Sequence, residues 1–326
     1  MSIFGWISAQ ALAQCALWLG LYAPLKLLLP LLADQLAQPG PGAREGLLAA
    51  ATLAGSLVAL VANPLAGALS DRQRGARGGR AAWILAGSLM AAIAIALLPG
   101  AGSALGLVGL WLLAKLGLNT CLAGVQGSAA DRVPLAQQGS LWGWVGLAQP
   151  LGLVLGVAIG TLLLPRLQLA ALALGALVPL ACGPLLRLEW RAGAPLHRIR
   201  RQEARQPPRE GSLLAPFRHP PFAGLWWSRF WLYLGWSMST VYLLYFLEDR
   251  LGLPRPQALV AQALLLALYA GGTVASAALA GRASDRSGHR LGFVLVGSGG
   301  MAAACALFLM SQSLPLALLA ATLLGV

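Results

Sequence analysis

Two short stretches decide how this chain reads: Gly67-Ala-Leu-Ser-Asp71-Arg72-Gln-Arg-Gly75-Ala-Arg77 and Gly281-Arg-Ala-Ser-Asp285-Arg286-Ser-Gly288-His289-Arg290. Each places an Asp-Arg pair, a glycine and further basic residues directly after a long apolar run, and the two aspartates stand 214 residues apart. A repeat of this kind points to a chain built from two similar units. Both aspartates fall at or just beyond the C-terminal end of an expected helix, where the macrodipole disfavours an anion. Each therefore needs a compensating partner, either a nearby arginine or the N-terminus of another helix. The alternative for each copy is a tight turn with solvated charges.

Outward from these stretches the chain is strongly apolar. Of 326 residues, 58% are hydrophobic and 10% are charged, and the mean hydropathy is +0.73. A soluble domain carries about 25% charged residues, so this composition excludes a disordered chain and argues against a water-soluble enzyme. A membrane helix needs about 20 mostly apolar residues. Nine runs reach that length, at 11–33, 47–69, 81–99, 104–126, 141–163, 168–187, 222–247, 257–280 and 291–311. A tenth runs from near Leu314 to Val326, about 13 residues and too short to cross a bilayer. The runs are continuous instead of alternating, which argues against strands. The expected fold is an all-α polytopic membrane protein. The first run is read as a retained span, with no small-x-small cleavage site after it.

The net charge of +13 would ordinarily raise nucleic acid as a partner. Its placement removes that reading. With the N-terminus in the cytoplasm, sixteen basic residues fall in inner loops: Arg72, Arg74, Arg77, Arg80, Arg132, eight arginines between Arg187 and Arg218, and Arg282, Arg286 and Arg290. Four fall outside: Arg44, Arg166, Arg250 and Arg255. This imbalance is the positive-inside signature of a multi-pass protein. The longest loop, 188–221, is a basic linker suited to an anionic inner leaflet, or else a regulatory segment. It divides the chain into 1–187, 188–221 and 222–326. The four cysteines lie in apolar runs without metal-ligand spacing and read as small buried residues. The arginine-rich, lysine-poor composition suggests a bacterial gene, hence the bacterial inner (plasma) membrane.

On these residues the chain resembles the major facilitator superfamily, whose signature G-x-x-x-D-R-x-G-R/H-R lies between helices two and three. The copy at Gly281, Asp285, Arg286, Gly288 and Arg290 matches closely, while the copy at Gly67, Asp71, Arg72, Gly75 and Arg77 is stretched by Gln73 and Arg74. The loop Ala130-Asp131-Arg132-Val133-Pro134, followed by Gly139, is similar to the fourth-to-fifth helix loop of bacterial members. The resemblance implies two six-helix bundles, the second incomplete here, with 1–187 as the first bundle and 222–326 as part of the second. It also implies that each motif copy engages a helix of the opposite half and closes the inner gate in the outward-open state. Read this way the chain is a C-terminally truncated member. The missing eleventh helix would have partnered Asp71, and the form given is expected to be at best a leaky transporter.

Ionisable residues at depth are the cheapest functional signal in a membrane chain. Lys26 and Lys115, the only lysines, lie inside the first and fourth runs, and Arg229 lies inside the seventh. No Asp or Glu lies deep in any run; Asp34, Glu248 and Asp249 mark outer ends. Helical spacing places Gln14, Trp18, Tyr22 and Lys26 on one face, Trp111, Lys115 and Asn119 on another, and Arg229, Tyr233, Trp236, Ser237 and Thr240 on a third. By the resemblance, helices one, four, seven and ten line the central cavity, so these stripes are its expected walls. Snorkelling to the outer interface is the competing reading for Lys26; Arg229, near the inner end of its helix, reads rather as snorkelling or holding the bundle, with the cavity wall as its other role.

A cavity with two lysines and no acid suits an anionic or strongly hydrogen-bonding solute, such as an organic acid or a sugar derivative. Proton coupling through a lysine is an alternative role. The glycine-rich fifth run (Gly146, Gln149-Pro150, Gly152, Gly156, Gly160) gives only weak support to efflux by proton antiport and fits close packing equally well. The expected function is a monomeric secondary transporter of a small-molecule substrate in the lipid bilayer, without a cofactor or metal. A non-transporting receptor or assembly partner on the same fold is the rival. The histidines lie in expected loops and no phosphate-binding loop is present, which argues against a membrane enzyme or an ATP-driven pump.

Overall fold

A computed structural model describes residues 3–73, 79–192, 218–287 and 290–325; for 280–287, 290 and a few scattered positions it describes the backbone alone. The described residues form helices and no strands. Ten helices follow the order of the apolar runs: α1 Ile3–Leu36, α2 Ala43–Arg72, α3 Gly79–Leu97, α4 Ala104–Arg132, α5 Leu135–Leu163, α6 Leu167–Arg191, α7 Pro220–Val241, α8 Arg255–Ser287, α9 Arg290–Met310 and α10 Leu314–Leu324. A helix satisfies its own backbone polar groups, which is what hydrocarbon surroundings demand.

Against the nine full spans expected, six stretches among the described residues are long and apolar enough to cross a membrane, or seven if bent pieces are joined. One of the six, Ser140–Arg191, takes in both α5 and α6, which a 3-10 turn at Leu164–Arg166 separates. In the last two helices the continuous apolar pieces are only Leu295–Met310 and Leu314–Leu324. The seventh candidate joins Phe222–Val241 to Leu243–Arg250 across a 46° bend.

Within residues 1–187, α1 packs against α4, α5 and α6, α3 lies between α4 and α6, and α2 leans on α4. Small residues permit these approaches. A Cβ on Gly87 of α3 would stand 2.7 Å from the Gly117 carbonyl oxygen of α4. On α5, a Cβ on Gly152 would stand 2.4 Å from the Cys15 carbonyl oxygen of α1, and Gly156 and Gly160 meet Leu19 and Leu27. Three glycines of the fifth run are thus packing positions against α1.

The second half meets the first through α7 against α1 and α8 against α5. The apolar cluster joining them takes Leu27, Leu31, Leu153 and Val157 from the first half and Leu243, Leu244, Leu265 and Leu266 from the second.

Both α1 and the segment after α7 contain a π turn, at Pro24–Leu28 and Phe246–Arg250. Such turns frequently mark functional sites. In α1 the turn is flanked by Pro24 and Pro30, neither of which has an N–H to give.

Candidate functional site

Lys26 sits in the α1 π turn and is 0% exposed. Its Nζ donates to Thr240 Oγ1 at 2.5 Å and lies 5.0 Å from the centroid of the Trp236 ring. The Thr240 hydroxyl donates to the Trp236 carbonyl at 2.8 Å, which leaves its oxygen to accept from the lysine. Pro30 cannot make the usual helical bond to the Lys26 carbonyl four residues before it; Gln262 Nε2 of α8 donates to that carbonyl instead, at 2.8 Å. One residue of the first half is thereby held by two helices of the second.

Lys26 and Thr240 are 214 residues apart, the offset of the two motif aspartates. Tyr22 and Trp236 share that offset, and their rings meet edge to face at 5.7 Å. Residues that touch their own equivalents lie on the symmetry axis relating two halves. Adding the motif offset to Lys26 therefore leads to its partner, a signal that helical spacing within one run does not contain.

A cavity of about 270 Å³ lies beside this contact. Its walls include Tyr22 of α1, Gln149 of α5, Arg229, Tyr233 and Trp236 of α7, and Tyr269 of α8. Gln149 Nε2 donates to the Tyr22 hydroxyl at 2.7 Å. A second hollow of about 210 Å³ lies between α1 and α4, lined by Trp18, Lys115, Asn119 and leucines. The Trp18 ring stacks on Tyr22 at 5.5 Å and so stands between the two hollows.

Most of the expected wall residues are where the stripes put them: Trp18, Tyr22, Lys115, Asn119, Arg229, Tyr233 and Trp236 line one hollow or the other. Lys26 and Thr240 do not. They bond to each other in the contact between the halves, so Lys26 neither faces the cavity nor snorkels. Arg229, for which snorkelling or holding the bundle was the first reading, lines the cavity. Gln149, Tyr269 and Thr273 also contribute and were not singled out as walls, because α5 and α8 were not expected to line it.

The end of the molecule beyond Lys26, here the far end, carries a cluster of charges that joins the halves. Arg44, near the start of α2, bonds Glu45 at 2.9 Å, Asp34 at 3.4 Å and Asp249, and its guanidinium lies 4.5 Å over the Tyr245 ring. Arg255, at the start of α8, bonds Glu248 at 2.7 Å and Asp34 at 2.8 Å. The Tyr245 hydroxyl donates to the Pro30 carbonyl at 2.8 Å. The macrodipole disfavours a cation at a helix start and an anion at a helix end. Arg44, Arg255 and Asp34 occupy those unfavourable places, and their mutual pairing offsets the penalty.

The opposite end, here the motif end, uses the same logic within one half. Asp71, the penultimate residue of α2, bonds Arg80 at the start of α3 at 2.6 Å. Arg80 is 5% exposed and also bonds Asp131 at 3.0 Å and the Ser70 hydroxyl. Arg132 and Glu189 pair at 2.9 Å, and Ser128 donates to Glu189 at 2.5 Å. Of the two partners open to Asp71, a nearby arginine is therefore the one described. Gly67 and Arg72 lie in the last turns of α2. Gly75, Arg77 and Gly288 lie outside the described residues. Gly281, Asp285 and Arg286 are placed on the last turns of α8, and Arg290 at the start of α9, by backbone alone.

The family model described as Major Facilitator Superfamily matches residues 10–326. No curated protein matches the chain. Among solved structures, the crystal structure of a D-xylose-proton symporter is similar, with a TM-score of 0.64 and 14% identity, over 100% of this chain and 80% of that one. At that identity the likeness is one of fold.

Proposed function

This chain belongs to the major facilitator superfamily; it is a membrane transporter and not an enzyme, and on that premise we propose that it moves a small polar solute by alternating access, holding it in the hollows beside Tyr22 and Trp18. The observation that carries this reading is the asymmetry of closure around the cavity. Beyond the cavity the far end is shut by the Lys26–Thr240 bond, an apolar cluster and the Arg44–Arg255 charge network. Toward the motif end, Arg229 and Tyr233 are exposed cavity residues. Arg229 is nine residues into α7, roughly 14 Å from its start at 1.5 Å per residue. With the N-terminus and the motif end in the cytoplasm, as the arginine distribution supports, this is an inward-facing state. The solute is anionic or sugar-like, since the walls combine cations, aromatic rings and an amide. The cell membrane of a bacterium is the setting that suits this chain.

The test is reconstitution in proteoliposomes with a panel of small organic acids and sugars, with and without an imposed proton gradient. The expected result is saturable flux of a member of the panel. A second arm joins Asp34→Cys to Glu248→Cys across the far end with a thiol-reactive crosslinker that holds a cleavable disulfide; crosslinking is expected to stop flux and reduction to restore it. Flux that ignores the lock, or no flux of any solute, would overturn the reading and favour a non-transporting receptor on this fold.

A further inference from the structure

Of the two lysines, Lys26 is fully buried and Lys115 half-buried, which leaves Lys115 the better placed to meet a solute. Unlike that of Lys26, its ammonium has no hydrogen-bond acceptor or carboxylate among the described residues; the contact described for Nζ is with the Trp111 ring, 5.9 Å to its centroid. The side chain is fixed at its root. A Cβ on Gly55 of α2 would stand 3.2 Å from Lys115 Cγ and 2.6 Å from Trp111 Nε1. The glycine thus admits both side chains, and Lys115 lines the α1–α4 hollow. Asn119, one turn further on, gives its amide N–H to the Lys115 carbonyl at 2.8 Å. The rest of that hollow is Trp18 and leucines of α1 and α4. Lys115 and Arg229 are the charged residues lining the two hollows, and no acid lines either among the described residues.

A half-buried cation in an apolar recess, with no acceptor among the described residues, favours an anion beside it. The recess around it is too small for a drug-sized ligand and offers an aromatic face and leucine side chains to a carbon body. We propose that the α1–α4 hollow is an anion subsite for a small organic monocarboxylate, with the carboxylate on Lys115 Nζ and the apolar body against Trp18. This deepens the transport reading above and rests on it for its physiological meaning.

The chain contains only two lysines, and Lys26 is fully buried, so an amine-acylating reagent reports on Lys115 once the N-terminal peptide is set aside by mass spectrometry. The protein is labelled in nanodiscs with benzoate, with its neutral isostere benzamide, or with chloride at equal ionic strength. Benzoate is expected to slow Lys115 acylation at least about fivefold; benzamide and chloride are expected to change it less than twofold. In parallel, the benzoate-dependent change in tryptophan fluorescence is expected to survive Lys115→Arg and to vanish in Lys115→Gln. Equal protection by benzamide or chloride, no protection by benzoate, or a Lys115 that reacts only on unfolding would each overturn the subsite. If proteoliposome flux persists after such a result, only the subsite is wrong. If protection holds but no solute is transported, the subsite stands and the transport reading fails.

Discussion

At the motif end Arg80 gathers Asp71, Asp131 and Ser70, all from the first half, around a guanidinium that is 5% exposed. At the far end Arg44 and Arg255 gather Asp34, Glu248 and Asp249 from both halves in a half-buried setting. The ingredients are alike: arginines at helix starts and carboxylates at helix ends, each disfavoured where it stands until paired. The difference is in what the pairs span and in the arginine at the centre: Arg80 is buried, Arg44 and Arg255 half-buried. A buried hub inside one half fixes that half as a rigid body. A partly exposed cluster across two halves holds one arrangement of rigid bodies and can let it go, because pairs that water reaches are individually weak.

That contrast can be broken from either side, and the largest effect is expected at the motif end. Arg80→Ala leaves Asp131, itself 3% exposed, without this partner; removing one member of a buried pair costs about 3–5 kcal/mol. Thermal unfolding in detergent should show it, and a variant as stable as the parent would mean that the hub does not hold the first half. Next in size is Thr240→Val, which removes the acceptor for Lys26 Nζ. A buried donor without a partner costs about 1–3 kcal/mol, and the loss should fall on the contact between halves. Spin-label distances across the far end should broaden while the first half keeps its melting behaviour.

Arg44→Ala is expected to cost about 1 kcal/mol or less in unfolding, the range of exposed pairs. Its effect should instead be on which state is populated: 1 kcal/mol is roughly a fivefold shift in an equilibrium. A thiol probe at Leu31→Cys, buried in this state, should then label several times faster; unchanged labelling would deny the cluster its holding role. The smallest effect is that of salt. Raising ionic strength from about 0.01 to 1 M shortens the Debye length from about 30 to 3 Å. This should raise labelling at the far end modestly and leave the Arg80 hub untouched. Equal salt sensitivity at both ends would erase the distinction.

Much of this was readable in the residues. Continuous apolar runs became helices in the expected order, since a backbone in hydrocarbon has few other solutions. The need of Asp71 for a partner followed from its place at a helix end, and Arg80 meets it. The stripes holding Trp18, Lys115, Arg229 and Tyr233 reach the hollows because helical spacing fixes a face. Spacing within a run does not fix what that face meets. Lys26 looked like a wall residue and is a fastener between halves; Pro30, which frees the Lys26 carbonyl for Gln262, acts through a missing hydrogen that only the assembled helices make visible. The far-end cluster was present as scattered end charges on α1, α2, α8 and the π turn after α7, and only their packing turned these ends into one network.

The contact on the symmetry axis carries a rule for how such a chain can change. Two identical halves would set residue 26 against its own copy, and a lysine there would face a lysine at hydrogen-bonding distance. No rearrangement of the surroundings relieves that, because an axis offers no second place to stand. A duplicated sequence can keep the amine only by making its twin an acceptor, as Thr240 is. Asp34 and Glu248, separated by the same offset, obey the complementary rule: standing away from direct contact, both stay acidic and share an arginine. Positions on the axis must diverge, and positions beside it are free to remain twins.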